Sequence, residues 1–163
     1  MEKHNNLLKA LVTFDESLIG RKSLYIDIPG DPFAKQRPRA ARKGRFITIY
    51  TPRETKEYEK KVRHYYRQIY DESDKLSGSL TVDIEGIFAV SKSVSQSKAE
   101  KMVNGEIDHT KKPDCDNIAK VCLDALNGIA YDDDAQINAL NISKRYGNES
   151  KCRITIKQNK KDI

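Results

Sequence analysis

Long hydrophobic runs are missing from this sequence. Nothing in it approaches the roughly 18 apolar residues that a membrane-spanning helix needs. Met1 to Ala10 is polar and no apolar stretch follows, so the pattern of a secretory signal is absent as well. Cysteine is scarce: Cys115, Cys122 and Cys152 fall neither into a paired framework nor into zinc-ligand spacing. The expectation is a reduced, cytosolic protein in which Cys122 serves as a small buried hydrophobe. Apolar residues make up only 37% of the 163 positions, and charged residues 33%. Helical and strand periodicities nevertheless recur along the chain. The expectation is therefore one folded domain with a heavily charged surface, not a disordered chain.

What is present in excess is positive charge, with a net +6 and a pI near 9.1. A polyanion is the partner such a balance suggests, with nucleic acid first among candidates. The excess is concentrated. Lys35 to Arg67 holds twelve Lys/Arg against three Glu, more positive than the chain as a whole. Within it, Lys35, Arg37, Arg39, Arg42, Lys43, Arg45, Lys60 and Arg67 are the candidates for tracking phosphates. The competing reading is a solvated loop and helix face.

Leu24 to Ile28 alternates as a strand and stops at Pro29-Gly30. Lys35 to Arg45 reads as a basic loop that Pro38 and Gly44 keep irregular, and Phe46 to Tyr50 as a strand. Thr51-Pro52-Arg53-Glu54 predicts a helix start with Thr51 as cap and Glu54 closing a capping box. That helix is expected to reach about Tyr70, with Tyr58, Val62, Tyr65, Tyr66 and Ile69 as its apolar stripe. A long strand from Leu80 to Val90 and a short polar helix stopped by Gly105 follow. After the acidic region come a strand over 136–143 and another over 152–156, expected to pair as a hairpin. The order predicts an α+β fold, a single domain with a mixed β-sheet and packed helices. Its expected span is 24–157, between an N-terminal extension (1–23) and a charged tail (158–163).

The feature set against this basic background is an acidic island. Between Asp114 and Asp134 lie six carboxylates and one lysine. Asp114 follows Pro113 and sits where a helix N-cap belongs, so capping alone could explain it. Asp116, Lys120 and Asp124 stand at i, i+4 and i+8, which an ion-pair ladder would also explain. Yet one cap needs one acid, and Asp114-Cys115-Asp116 places two at the helix mouth. Asp132-Asp133-Asp134 then sets three acids in one turn. Apart from His109 no histidine is near, and an all-oxygen set suits Mg²⁺ or Mn²⁺ better than zinc or copper. The spacing is not that of an EF-hand. A basic surface joined to an acidic metal cluster is what a nuclease requires.

The motif Lys112-Pro113-Asp114-x-Asp116-Asn117-x-x-Lys120-x-x-x-Asp124-Ala125-Leu126-Asn127-Gly128, with Asp133-Asp134-Ala135-Gln136-Ile137 after it, resembles the RusA family of Holliday junction resolvases. Lys35-Gln36-Arg37-Pro38-Arg39 and Tyr50-Thr51-Pro52 resemble the N-terminal half of that family, and the likeness spans roughly residues 24–156. The resemblance implies a Mg²⁺-dependent homodimer that cuts four-way DNA junctions by paired nicks, without a nucleotide cofactor or a membrane. By the same resemblance Asp114, Asp116 and Asp134 would be metal ligands, Asp133 a further ligand or neighbour, and Lys120 the catalytic lysine. Asp124 would support the helix, and Asp132, an extra acid in a loop of variable length, is not assigned. Two alternatives stand beside this: a nuclease preferring flaps or replication forks, and a module that binds branched nucleic acid without cutting it.

Overall fold

The structure is a computed structural model describing residues 22–159, so nearly all of the expected N-terminal extension and most of the charged tail lie outside the described residues. Its elements in chain order are β1 (Ser23–Pro29), β2 (Arg39–Lys43), β3 (Phe46–Tyr50), α1 (Arg53–Arg67), β4 (Leu80–Ala89), α2 (Gln96–Val103), α3 (Cys115–Leu126), β5 (Ile137–Gly147) and β6 (Lys151–Gln158). The α+β fold with a mixed sheet expected from the element order is what is found.

Alternation builds the sheet. Its order is β1-β6-β4-β5, with β4 and β5 parallel and the other pairs antiparallel. Register places Ile26, Ile154, Ile84 and Ile142 in one row across all four strands. Leu24, Ile156 and Val82 form the next row, and all of these but Ile142 are buried. Each aliphatic side chain so covered contributes about 1.5–3 kcal/mol of transfer free energy. The residues between them point to the other face, which carries an ion network in place of a core. There Asp27 accepts from Lys151 (2.7 Å) and Arg153 (3.1 Å), and Glu85 accepts from Arg145 (2.6 Å).

Two helices cover the apolar face. The stripe of α1 buries Tyr58, Val62 and Tyr66, and α3 buries Ile118, Ala119, Val121, Cys122, Ala125 and Leu126. Cys122 is the buried small residue expected. Its Sγ lies 3.7 Å from that of Cys152 on β6, and both remain free thiols.

Three expectations are corrected. The segment read as an irregular basic loop contains β2, which pairs with β3 from Arg39↔Tyr50 to Lys43↔Phe46. Gly44, at φ +64°, makes the tight turn between them. The capping box at Thr51 does not form: Pro52 occupies the N-cap position without a side-chain bond, and α1 ends at Arg67. Thr55 takes a different part, its Oγ1 accepting from Gln36 N at 3.2 Å.

The third correction concerns β5 and β6, which do not form a hairpin. They straddle β4, the strand with the longest apolar alternation, and it takes the centre where both its edges are paired. The connecting loop is clamped over the end of β4, Val90 N donating to Gly147 O (3.2 Å) and Ala89 N to Ser150 Oγ (2.9 Å). A Cβ on Gly147 would stand 2.5 Å from Ile87 Cγ2. Only glycine lets the chain pass there.

Candidate active site

Helix α3 starts at Cys115 because Pro113 cannot continue a helix backward and Asp114 takes the N-cap position in extended geometry, φ −75° and ψ 144°. The carboxylate of Asp114 makes no capping bond. Asp116 follows in the first turn, where the helix dipole favours negative charge. Both acids are exposed, and neither forms an ion pair among the described residues. The contact made to the Asp116 carboxylate is a long one, 3.4 Å from Asn117 Nδ2.

Lys120 stands one turn further along the same helix and is exposed. The ladder that would join it to Asp116 and Asp124 is absent, since Asp124 pairs with Lys35 instead. Lys120 therefore has no ion pair among the described residues and stands within about 6 Å of helical rise of Asp116.

The second acidic cluster is divided by its own bonds. Asp132 pairs with Lys75 at 2.5 Å. Asp133 caps the short 3-10 turn Asp134–Gln136, its Oδ1 accepting from Ala135 N at 2.8 Å. The Gln136 side chain completes the box by accepting from Asp132 N and Asp133 N, and donates to Gly78 O at 3.0 Å. Asp134 alone keeps an exposed carboxylate without an ion pair or a hydrogen bond among the described residues.

The structure brings Asp114, Asp116 and Lys120 together and keeps Asp134 apart from them. Lys144, toward the far end of β5, donates to Pro113 O at 2.9 Å, which places the mouth of α3 beside that end. Asp134 precedes the strand's first residue, and Ile137 and Lys144 are roughly 23 Å apart along an extended strand. Accordingly, no three acidic, histidine or cysteine side chains among the described residues lie close enough to grip one ion.

Of the basic candidates, Lys35 is engaged with Asp124. Arg37, Arg39, Arg42, Arg45, Lys60 and Arg67 are exposed, and the side chain of Lys43 is outside those described. The segment is anchored at the acid site, Lys35 N donating to Asn117 O at 2.9 Å. Lys144 had escaped sequence reasoning. Its signal was faint: a lysine on the row that otherwise carries Ile28, Cys152 and Gly86.

His109 lies behind the site, buried between Phe88 (ring centroids 4.0 Å, stacked) and Tyr146 (4.8 Å). Burial, reinforced by the nearby charges of Lys144 and Lys111, holds its pKa below the ordinary 6.5.

Comparison with known proteins places these residues in a wider set. The sequence model of a family described as endodeoxyribonuclease RusA matches residues 29–157. That range contains Asp114, Asp116, Asp133 and Asp134, with Lys120 and the whole basic segment. A protein of Bacillus subtilis (strain 168), described as "Uncharacterized protein YqaN", is 33% identical over 131 residues, which cover 79% of this chain and 92% of that protein.

Proposed function

The chain belongs to the RusA family of endodeoxyribonucleases, and from that premise we propose that it resolves Holliday junctions by paired, symmetric, Mg²⁺-dependent nicks. The observation that carries this reading is the mouth of α3. Asp114 and Asp116 are exposed there without ion pairs among the described residues, and Lys120, one turn away, has none among them either. Two neighbouring carboxylates with an ammonium one turn along the helix are the groups that a divalent cation and a phosphate would complete.

The donor set suits a hard divalent ion, since Asp114, Asp116 and Asp134 offer oxygen only. Mn²⁺ would serve as a substitute. When bound, such an ion supplies Lewis acidity at the scissile phosphate. The chain's own groups do the rest. Lys120 is a positive charge at the place where the phosphorane gathers negative charge, and it offsets repulsion between the acids. The arginines around β2 hold the flanking backbone phosphates.

The separation of Asp134 from the Asp114–Asp116 pair gives the proposed homodimer a chemical purpose. A two-fold axis lets Asp134 of one subunit approach the α3 mouth of the other, and it presents two sites to two strands of a pseudo-symmetric junction. Asp133 then acts by shaping the turn that carries Asp134.

The test is cleavage of a four-way junction, a fork, a flap and a linear duplex, each with Mg²⁺ and with EDTA. Paired nicks confined to the junction and abolished by EDTA support the proposal. Preferential cutting of flaps or forks would replace it, and tight junction binding without cleavage at any Mg²⁺ concentration would reduce the protein to a binding module.

A further inference from the structure

The ribbon formed by β2 and β3 is an anomaly in an otherwise economical fold. Phe46-Ile47-Thr48-Ile49-Tyr50 has the composition of a core strand, yet all five residues are exposed. Phe46 is 78%, Ile47 72% and Ile49 74% exposed. The ribbon's main packing is between its own two strands. An isolated two-stranded ribbon is marginal in water, and an apolar patch of this kind marks a surface that something covers.

Register indicates what that is. Directly paired residues share a face, so Tyr50 lies beside Arg39 on one side and Ile47 beside Arg42 on the other. Neither face is dry. A second copy of this chain would have to bring a carboxylate to each arginine it buried on either face. A polyanion covers both kinds of group at once. The arginines meet phosphates and the apolar side chains meet the faces of bases. A two-stranded ribbon also fits the width of a DNA major groove.

Position agrees with composition. The base of the ribbon is fixed to the acid site through Lys35 N to Asn117 O (2.9 Å) and to α1 through Gln36 N to Thr55 Oγ1 (3.2 Å). Its turn, Gly44-Arg45-Phe46, projects about 17 Å beyond that base. Phe and Ile are the side chains that proteins insert between base steps to unstack and kink a duplex.

We propose that the β2–β3 ribbon is a DNA wedge, with Phe46 on one face and Ile47 on the other stacking on the bases of adjoining arms at the branch point, and Arg39 and Arg42 holding the phosphates on their respective sides. This rests on the nuclease reading above and adds to it how a branch is distinguished from a duplex. An open branch point accepts the wedge without the unstacking that a continuous duplex demands.

The experiment uses a four-way junction carrying 2-aminopurine beside the crossover, bound in EDTA so that cleavage plays no part. Wild type should raise the fluorescence at least 3-fold on the junction and little on a linear duplex with the same probe. Phe46→Ala combined with Ile47→Ala should abolish the rise while leaving the salt dependence of binding unchanged, and Phe46→Trp should retain unstacking. Sedimentation of the double variant checks the oligomeric state. An undiminished rise in the double variant overturns the wedge, as does its conversion from dimer to monomer, which would make the ribbon a protein interface. Junction cleavage by wild type with no fluorescence change also overturns the wedge, while leaving the nuclease reading intact. Unstacking without cleavage supports the wedge and removes the nuclease reading.

Discussion

The Nζ of Lys144 donates to the carbonyl oxygens of Lys111 (2.6 Å) and Pro113 (2.9 Å), so a strand side chain holds the backbone immediately before Asp114. Lys144 is thus a positioning residue for the acid pair. Lys144→Met should cost about 1 kcal/mol of stability and lower kcat about tenfold with little change in junction affinity. Denaturation curves and single-turnover cleavage will separate the two effects.

The carboxylates of Asp134 and Asp133 should behave differently although they are neighbours. Asp133 spends its Oδ1 on the Ala135 amide, whereas Asp134 has no bonded partner among the described residues. Asp134→Asn should lower Mg²⁺-dependent cleavage at least 100-fold at wild-type stability. Asp133→Ala should cost about 1 kcal/mol through loss of the cap and retain most of the cleavage rate. Asp116→Asn belongs with Asp134→Asn. If it cleaves at full rate, the assignment of Asp116 as a metal ligand fails.

Acid should weaken the fold through two groups. The pKa of His109 is lowered by burial, so its contribution is complete above pH 6.5 and is lost as pH falls below that value. For Asp27, burial alone would raise the pKa, but the hydrogen bonds from Arg153 and Lys151 outweigh it and leave the group below its ordinary 3.8. Its stabilising effect is present above that ordinary value and fades as pH falls through the lowered one. Melting temperatures from pH 8 down to pH 3 should therefore fall in two stages. His109→Phe should flatten the first stage, and Asp27→Asn the second.

Binding to DNA should carry the signature of counterion release from the exposed arginines. Arg37→Ala with Arg39→Ala should reduce the slope of log K against log salt by about 2. An unchanged slope would remove these two residues from the phosphate-binding surface.

The crossing of the β5–β6 loop over β4 is sterically tight. Gly147→Ala forces a Cβ to 2.5 Å from Ile87 Cγ2, an overpacking expected to cost about 2 kcal/mol. Chemical denaturation should show it as a lower midpoint with an unchanged m-value.

The order of residues alone set the helix bearing Asp114, Asp116 and Lys120, because capping position, a 3.6-residue apolar stripe and the Asn127-Gly128 stop all act within one local segment. It determined the alternating strands and the mixed α+β class for the same reason: period 2 and period 3.6 are properties of neighbours in the chain. Strand adjacency was decided elsewhere. A short loop between β5 and β6 reads as a hairpin, and only competition for the centre of the sheet set β4 between them. The exposure of Phe46 to Tyr50 was equally hidden, since burial depends on whether any other element reaches that ribbon. The separation of Asp134 from Asp114 and Asp116 is the largest such effect. Along the chain they are about twenty residues apart and read as one island. In the folded subunit the run of β5 holds them apart, because a hydrogen-bonded strand is extended and rigid and cannot fold back to bring its two ends together.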